Sequence, residues 1–150
     1  MTKTHLNYDG GSYAGLLGLN LLQAHPHMFK NMYIFNPMVN LLHMAYSSDL
    51  PEYPWNEGVN CGHAFDYTKD LSDEQILHMK NSSPALKSYD PSSKTKIILN
   101  IGEKDTRLNP DAAEYLYKKL KTLGLNITCR KYKGEQHVFV LAFVNFEIKM

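Results

Sequence analysis

The sequence has little of what marks several common classes of protein. It contains only two cysteines, Cys61 and Cys129, far apart and in no metal-ligand spacing, which excludes a disulfide-rich secreted scaffold and predicts two free thiols. The longest apolar runs, at 14–19 and 138–144, are too short to span a bilayer. The first residues lack an apolar core of signal-peptide length. We therefore predict a cytoplasmic protein without a membrane segment.

A predominance of charge of one sign is also lacking. Sixteen basic residues stand against fifteen acidic ones, which leaves a formal net charge of +1. This balance gives no electrostatic reason to expect nucleic acid or an anionic membrane as a partner. The length of 150 residues and the hydrophobic share of 43% are those of one soluble globular domain that can bury a core.

The chain alternates short apolar segments with helical patterns, which is typical of a parallel α/β sheet. Strands are predicted at 6–8, 32–35, 97–101 and 128–132. Helices are predicted at 14–24, at 41–46, after a capping box at 72–75, from 110 to 123, and from 138 to about 146, where a strand is the alternative. Between 36 and 67 the signals are few, and aromatic residues and prolines indicate an ordered excursion.

A short motif, Gly-Gly-Ser-Tyr-Ala-Gly at 10–15, lies between the first strand and the first helix. It resembles the nucleophile elbow G-x-S-x-G, a sharp turn that exposes a serine hydroxyl. Ser12 is then the candidate nucleophile. Ala14 stands where the pattern usually has glycine, so its methyl group is expected to crowd the turn. Two alternatives stay open: a Gly-Ser turn that begins an ordinary helix, and a phosphate-binding loop.

Two more candidate side chains follow later strands. Asp105 comes after the third strand and His137 after the fourth, and a carboxylate at the end of a parallel strand can reach a histidine on the next loop. The order Ser, Asp, His is that of α/β hydrolases. We therefore predict a triad in which His137 takes the proton of Ser12 and Asp105 orients the imidazole. The backbone N–H of Tyr13 is the predicted oxyanion donor.

These motifs resemble the catalytic domain of the prolyl oligopeptidase (S9) family, and the segments 35–40, 48–53 and 81–86 resemble acylaminoacyl peptidases within it. The resemblance runs from about residue 5 to about residue 143. It implies the C-terminal half of an α/β-hydrolase fold, a mostly parallel sheet of strands 5 to 8 with flanking helices. It also implies a serine peptidase that releases an N-acylated amino acid from a short peptide without a cofactor. Arg107 matches a substrate-binding arginine of related enzymes, with a surface arginine as the alternative.

The resemblance also indicates departures from the family. The β-propeller of such enzymes and the earlier strands of their sheet have no counterpart, so residues 1–150 are interpreted as a single partial α/β-hydrolase domain with an exposed first strand. The loop after strand 3 normally supplies the second oxyanion donor, and the loss of one donor slows catalysis about 10²–10³-fold. We expect weak activity, from a truncated gene, a split or inactivated copy, or an incomplete gene model.

Two other functions stay open beside the peptidase. One is a catalytically inactive domain that binds a partner or a second copy of itself through the exposed strand edge. The other is a hydrolase of small esters. A metal site is not predicted, because no zinc-ligand spacing is matched by His25, His27, His43 and His63.

Overall fold

The computed structural model describes residues 6–59, 66 and 68–138, which form one sheet with helices between its strands. The strands are β1 Leu6–Gly11, β2 Phe29–Pro37, β3 Lys96–Gly102 and β4 Ile127–Tyr132. The helices are α1 Ser12–Ala24, α2 Leu41–Ser47, α3 Glu52–Val59, α4 Asp73–Ser82 and α5 Pro110–Thr122, with a 3₁₀ helix at Pro84–Leu86. Across these ranges, no helix has both the length and the apolar character that crossing a membrane requires.

The sheet has the strand order β1-β2-β3-β4, and every neighbouring pair is parallel. The predicted α/β class with a parallel sheet is confirmed. Because all strands run the same way, their carboxyl ends meet at one edge of the sheet, where Gly11 pairs with Phe35 and Gly102 with Tyr132. Within the described residues, β1 and β4 are the two outer strands.

The main core lies between one face of the sheet and the helices α1 and α5. Side chains of β2 alternate, so that Met32 and Ile34 are fully buried while Tyr33 is 40% exposed. The inner strand β3 is buried almost continuously, as expected for a central strand of a parallel sheet. The same cluster includes Leu19 and Leu22 from α1, and Ala113, Leu116 and Leu120 from α5. Both helices therefore cover the same face of the sheet.

A second, smaller core joins the excursion after β2 to the start of α1. Its buried members are Leu16, Met38, Leu41, Met44, Met79 and Leu108. Tyr53 and Trp55 of the excursion pack against this cluster. Tyr46, in contrast, is 79% exposed. This core holds the excursion beside the carboxyl ends of the strands.

The helix α3 lies where the sequence indicated few regular elements. Pro51 and Pro54 made a helix there hard to predict, since proline removes a backbone donor. Pro54 is the third residue of α3, however, and the N–H groups of a first helical turn have no intrahelical partner. Both prolines are therefore compatible with the helix, and the hydrophobic contacts of Tyr53 and Trp55 favour it.

Two predicted helix ends are observed with their capping contacts. The Ser72 hydroxyl accepts from Gln75 N at 3.3 Å, and Ser72 N donates to Gln75 Oε1 at 2.8 Å. The Asn109 side chain accepts from Asp111 N at 2.9 Å, and Pro110 is the first residue of α5. The predicted helix from 138 to about 146 lies outside the described residues, except for Val138. Four further residues also lie outside them: Cys61, His63, Phe65 and Tyr67.

Candidate active site at the ends of the parallel strands

Ser12 lies at the junction of β1 and α1 in a backbone conformation that is rare for its residue type. Its φ is 53°, in the left-handed region, while the preceding Gly11 is extended. For a residue with a Cβ atom, this left-handed conformation is less stable than the right-handed one by about 1–2 kcal/mol. Surrounding contacts must therefore hold Ser12 in it. One such contact is the hydrogen bond from Met38 N to Ser12 O, at 3.0 Å. The strand, turn and helix follow one another as a nucleophile elbow requires.

Glycines at two positions let the elbow close. A Cβ atom on Gly15 would lie 2.6 Å from Pro37 Cβ. Only glycine at position 15 therefore allows α1 to approach β2 this closely. A Cβ atom on Gly10 would lie 3.1 Å from Ala14 Cβ. The methyl group of Ala14, expected to crowd the turn, therefore occupies space that the glycine at position 10 leaves. Tyr8 completes the contact by donating its hydroxyl to Ala14 O at 2.5 Å.

The three side chains predicted as a triad are brought together. Ser12 Oγ lies 3.1 Å from His137 Nε2, and His137 Nδ1 lies 2.8 Å from Asp105 Oδ2. The Asp105 side chain is fully buried, whereas 18% of the His137 side chain is exposed. A continuous series of hydrogen bonds thus runs from a hydroxyl at the strand edge to a buried carboxylate. Such a series allows a proton to pass from a hydroxyl to an imidazole that is held in one orientation.

The carboxylate of Asp105 is held by the backbone of its own loop. Asp105 Oδ1 accepts from the N–H groups of Arg107 and Leu108, both at 2.9 Å. These bonds compensate the burial of the carboxylate and leave Oδ2 directed at His137. The backbone of the loop after β3 therefore holds one oxygen of the acid, while the other contacts His137.

The loop that carries His137 is hydrogen-bonded to a residue that was not among the predicted site residues. Asn36, near the end of β2, donates to the backbone oxygens of Gln136 at 2.9 Å and His137 at 3.0 Å, and accepts from Gly102 N at 2.7 Å. Its φ is 37°, a left-handed value for which asparagine is one of the favoured residues. An Asn-Pro pair directly after an apolar strand was the available signal.

Tyr13, the predicted oxyanion donor, lies in the first turn of α1. The N-cap of this helix is Gly11, without a side-chain capping bond, and the first turn contains no acidic residue. The Tyr13 ring packs edge-on against Tyr53 with their centroids 6.4 Å apart. A cavity of about 270 Å³ lies beside Tyr13, lined also by Leu16, Asn20, Leu41, Asn81, Ser82 and Lys87.

Arg107, the predicted substrate-binding residue, is paired with Asp49. Its Nε and Nη2 atoms each lie 3.2 Å from one oxygen of that carboxylate. Hydrogen bonds from the Arg107 guanidinium hold the pKa of Asp49 below its usual value. Arg107 has five N–H groups, so donors remain for another acceptor.

Within the part of the chain that the structure describes, no group of three or more His, Cys, Asp or Glu side chains is placed to hold a metal ion.

Comparison with known proteins gives the family. The profile of the prolyl oligopeptidase family matches residues 1–145. The chain belongs to the prolyl oligopeptidase family. The family predicted from the motifs at Ser12, Asp105 and His137 is therefore confirmed, whereas the roles of these residues stay predictions.

Individual relatives within the prolyl oligopeptidase family agree with this assignment. The human acylamino-acid-releasing enzyme is 26% identical over 136 residues, which are 89% of this chain and 18% of the human protein. The solved acylaminoacyl peptidase of Pyrococcus horikoshii superposes with a TM-score of 0.69 at 19% identity, over 90% of this chain and 20% of that one. A puromycin-hydrolyzing peptidase of Mycobacterium tuberculosis superposes with a TM-score of 0.70 at 19% identity, over 89% and 19%. The chain thus shares the α/β-hydrolase fold of these peptidases and spans less than a fifth of the human relative.

Proposed function

We propose that this chain is a serine peptidase of the acylaminoacyl-peptidase type, with Ser12 as nucleophile, His137 as general base and Asp105 as the acid that orients it. The proposal is carried by the hydrogen-bonded series from Ser12 Oγ through the His137 ring to Asp105 Oδ2, with distances of 3.1 and 2.8 Å. The left-handed backbone of Ser12 supports it as well, since such conformations cluster at functional sites. The mechanism needs no cofactor.

The reaction has two steps. Ser12 Oγ attacks the carbonyl carbon of the N-acylated residue while its proton passes to His137 Nε2, and the Tyr13 N–H donates to the oxyanion. His137 then gives the proton to the leaving amine, which leaves an acyl-enzyme. Water attacks the acyl-enzyme, gives its proton to His137, and releases the N-acylated amino acid as Ser12 regains its hydrogen. The Tyr13 N–H is the proposed oxyanion donor, and a single such donor contributes about 10²–10³-fold to the rate.

Similarity to the human acylamino-acid-releasing enzyme and the Pyrococcus acylaminoacyl peptidase supports short N-acylated peptides as substrates. Arg107 is the proposed contact for the substrate's acyl group, through the N–H groups that Asp49 does not engage. Replacing it, as in Arg107→Ala, should raise KM for acetyl-alanine p-nitroanilide with little change in kcat. If only short-chain p-nitrophenyl esters are hydrolysed, the small-ester function replaces the peptidase.

The deciding experiment is labelling with a fluorophosphonate probe, which reacts with activated serines. The wild-type chain should be labelled on Ser12, identified by mass spectrometry of the tryptic peptide, and Ser12→Ala should not be labelled. His137→Gln should be labelled at least about 10²-fold more slowly, the lower range for loss of a general base. Ser47→Ala is the matched control, because Ser47 Oγ also lies 3.1 Å from a histidine, His43, but at an exposed position of α2. That variant should be labelled like the wild type.

A second function is favoured by one observation. Within the described residues, β1 pairs only with β2, and Leu6 at its start is 46% exposed. An exposed outer strand of this kind can pair with another chain. A chain that is folded by circular dichroism, is not labelled, and sediments as a dimer or complex would support an inactive interaction domain instead of a peptidase.

A further inference from the structure

The side-chain amide of Asn36 lies between the two loops that carry Asp105 and His137. Its Oδ1 accepts from Gly102 N at 2.7 Å, where β3 leads into the Asp105 loop. Its Nδ2 donates to the backbone oxygens of Gln136 and His137, at 2.9 and 3.0 Å. The residue is only 4% exposed. One buried group therefore joins the start of one loop to the backbone of the other.

The backbone around Asn36 also contacts the third member of the site. Its neighbour Pro37 forms a parallel bridge with Ser12, and Met38 N donates to Ser12 O at 3.0 Å. Residues 36–38 thus contact the backbone at Ser12, at His137 and at the start of the Asp105 loop. The φ of Asn36 is 37°, a left-handed value, and at this turn the side chain contacts both loops while the following backbone contacts Ser12.

Three consecutive carbonyl groups of the His137 loop accept hydrogen bonds from the Asp105 loop and from Asn36. The Glu135 oxygen accepts from Lys104 N at 2.9 Å, and the next two oxygens accept from Asn36. Gly102 allows the close approach, because a Cβ atom there would lie 2.6 Å from Gln136 O. The backbone that carries the imidazole is therefore in direct contact with the Asn36 amide and with the Asp105 loop.

Asparagine has the chemistry that these contacts need. A primary amide offers one acceptor oxygen and two donor hydrogens on one short planar group, which matches one N–H and two carbonyl oxygens. Aspartate would keep the acceptor but direct a negative charge at two carbonyl oxygens. Serine would keep a single donor, and alanine or glycine would leave Gly102 N and both carbonyl groups without this partner.

We propose that Asn36 is a positioning residue, which holds the His137 backbone against the end of β3 so that Nε2 stays within hydrogen-bond distance of Ser12 Oγ. The proposal rests on the function proposed above for Ser12, His137 and Asp105. A displacement of about 1 Å in such a constellation can slow a reaction by about 10²-fold. Loss of the amide should therefore slow the reaction at Ser12 without removing any group that touches the substrate.

The test compares Asn36→Gly and Asn36→Asp with Asn31→Ala, which removes an amide from the same strand. Asn31 Nδ2 donates to Asn7 Oδ1 at an exposed position, so this variant should label at the wild-type rate. Glycine tolerates the left-handed backbone, so slower labelling of Asn36→Gly cannot come from strain. The expected decrease in the second-order rate constant with the fluorophosphonate is about 10–100-fold for both Asn36 variants.

A second readout does not depend on activity. In a sample with ¹⁵N-labelled histidine, the signals of His137 are assigned by their loss in His137→Gln. Its Nδ1 proton, shared with Asp105, should give a downfield resonance in the wild type, in Ser12→Ala and in Asn31→Ala. This resonance should shift or broaden in Asn36→Gly. If Asn36→Gly does not fold, Asn36→Asp takes its place in this comparison, because aspartate also tolerates the left-handed backbone and lacks both donor hydrogens.

Unchanged His137 signals together with an unchanged labelling rate in the folded Asn36 variant would overturn the positioning role. The two proposals fail differently. A wild-type chain that is not labelled would remove the peptidase function, while the histidine spectrum would still decide whether Asn36 holds the imidazole.

Discussion

Arg107 and Asp49 form a two-point ion pair that joins the loop after β3 to the segment between α2 and α3. The two N–O distances are both 3.2 Å, and Asp49 N also donates to Thr106 O at 3.3 Å. A side chain that the sequence presents as a substrate contact therefore also fastens the excursion to the loop of Asp105. Both side chains of the pair remain more than 40% exposed, so salt and solvent weaken their attraction.

The pair makes a prediction about pH. Arg107 holds the pKa of Asp49 below its ordinary value of 3.8, so the stabilisation is complete above that value and is lost as the pH falls through the lowered pKa. Asp49→Asn should decrease the free energy of unfolding by less than about 1 kcal/mol near neutral pH, as for other exposed pairs. The difference from wild type should disappear once the pH is below the lowered pKa of Asp49. Urea denaturation over a pH series measures the difference in the free energy of unfolding between wild type and Asp49→Asn. An equal difference at neutral and at low pH would contradict a stabilising ion pair.

The backbone of Ser12 makes a prediction about stability. Ser12→Ala and Ser12→Gly both remove the hydroxyl and its contact with His137. Only glycine adopts a φ of 53° without steric strain. We expect Ser12→Gly to be more stable than Ser12→Ala by about 1 kcal/mol, the lower range for a left-handed residue with a Cβ atom. Thermal or urea unfolding of the two variants checks this, and a more stable alanine variant would argue against strain at the elbow.

The contact between Gly15 and Pro37 makes a third prediction. Alanine is favoured over glycine inside a helix by about 1 kcal/mol, so Gly15→Ala would ordinarily stabilise α1. Here the new Cβ would lie 2.9 Å from the backbone Cα of Pro37, and overpacking destabilises by about 1–3 kcal/mol. We expect a net decrease in the free energy of unfolding, with slower labelling of Ser12. Leu17→Ala, at a 45% exposed position of the same helix, is the control and should change stability much less.

Lys119 provides a fourth prediction, away from the site. Its ammonium donates to Ala85 O at 3.0 Å and to Lys87 O at 2.7 Å, which joins α5 to the 3₁₀ helix. Hydrogen bonds to charged groups contribute about 1.5–3 kcal/mol, so Lys119→Met should destabilise the chain by an amount in that range. Lys118→Met removes an exposed lysine whose nearest carboxylate oxygen, on Glu114, is 3.9 Å away, and should have little effect. Equal effects of the two variants in urea unfolding would show that the two carbonyl contacts do not stabilise.

Much of this fold can be predicted from the sequence because its signals are local. The capping box at Ser72 and the Asn109-Pro110 pair define helix starts through contacts within three residues. The continuous apolar segment around Leu99 indicates a strand buried on both faces. The grouping of Ser12, Asp105 and His137 could be predicted because parallel strands bring their carboxyl ends to one edge. For the helix starts and the strand, a short stretch of sequence contains the physical cause, whereas the grouping follows from the common direction of the strands.

Other features depend on distant contacts and could not be predicted in the same way. The role of Asn36 arises from backbone groups that lie 66 to 101 residues further along the chain. The ion pair of Asp49 with Arg107 spans 58 residues. The helix α3 contains Pro54 and is favoured by packing of its aromatic side chains instead of by helix propensity. A side chain's partners across the sheet are a property of the assembled structure.

The sequential strand order has a consequence for the course of folding. Ser12 and His137 are separated by 125 residues, and they follow β1 and β4, the first and the fourth of the described strands. Each strand joins the sheet beside its predecessor in the chain, so an intermediate that has paired only β1, β2 and β3 already exposes the Ser12 elbow but lacks the imidazole beside it. Contacts of such large sequence separation form late, after loop-closure entropy has been overcome. In the proposed mechanism, Ser12 therefore gains its general base only after the segment that follows β4 has been synthesised and has joined the sheet.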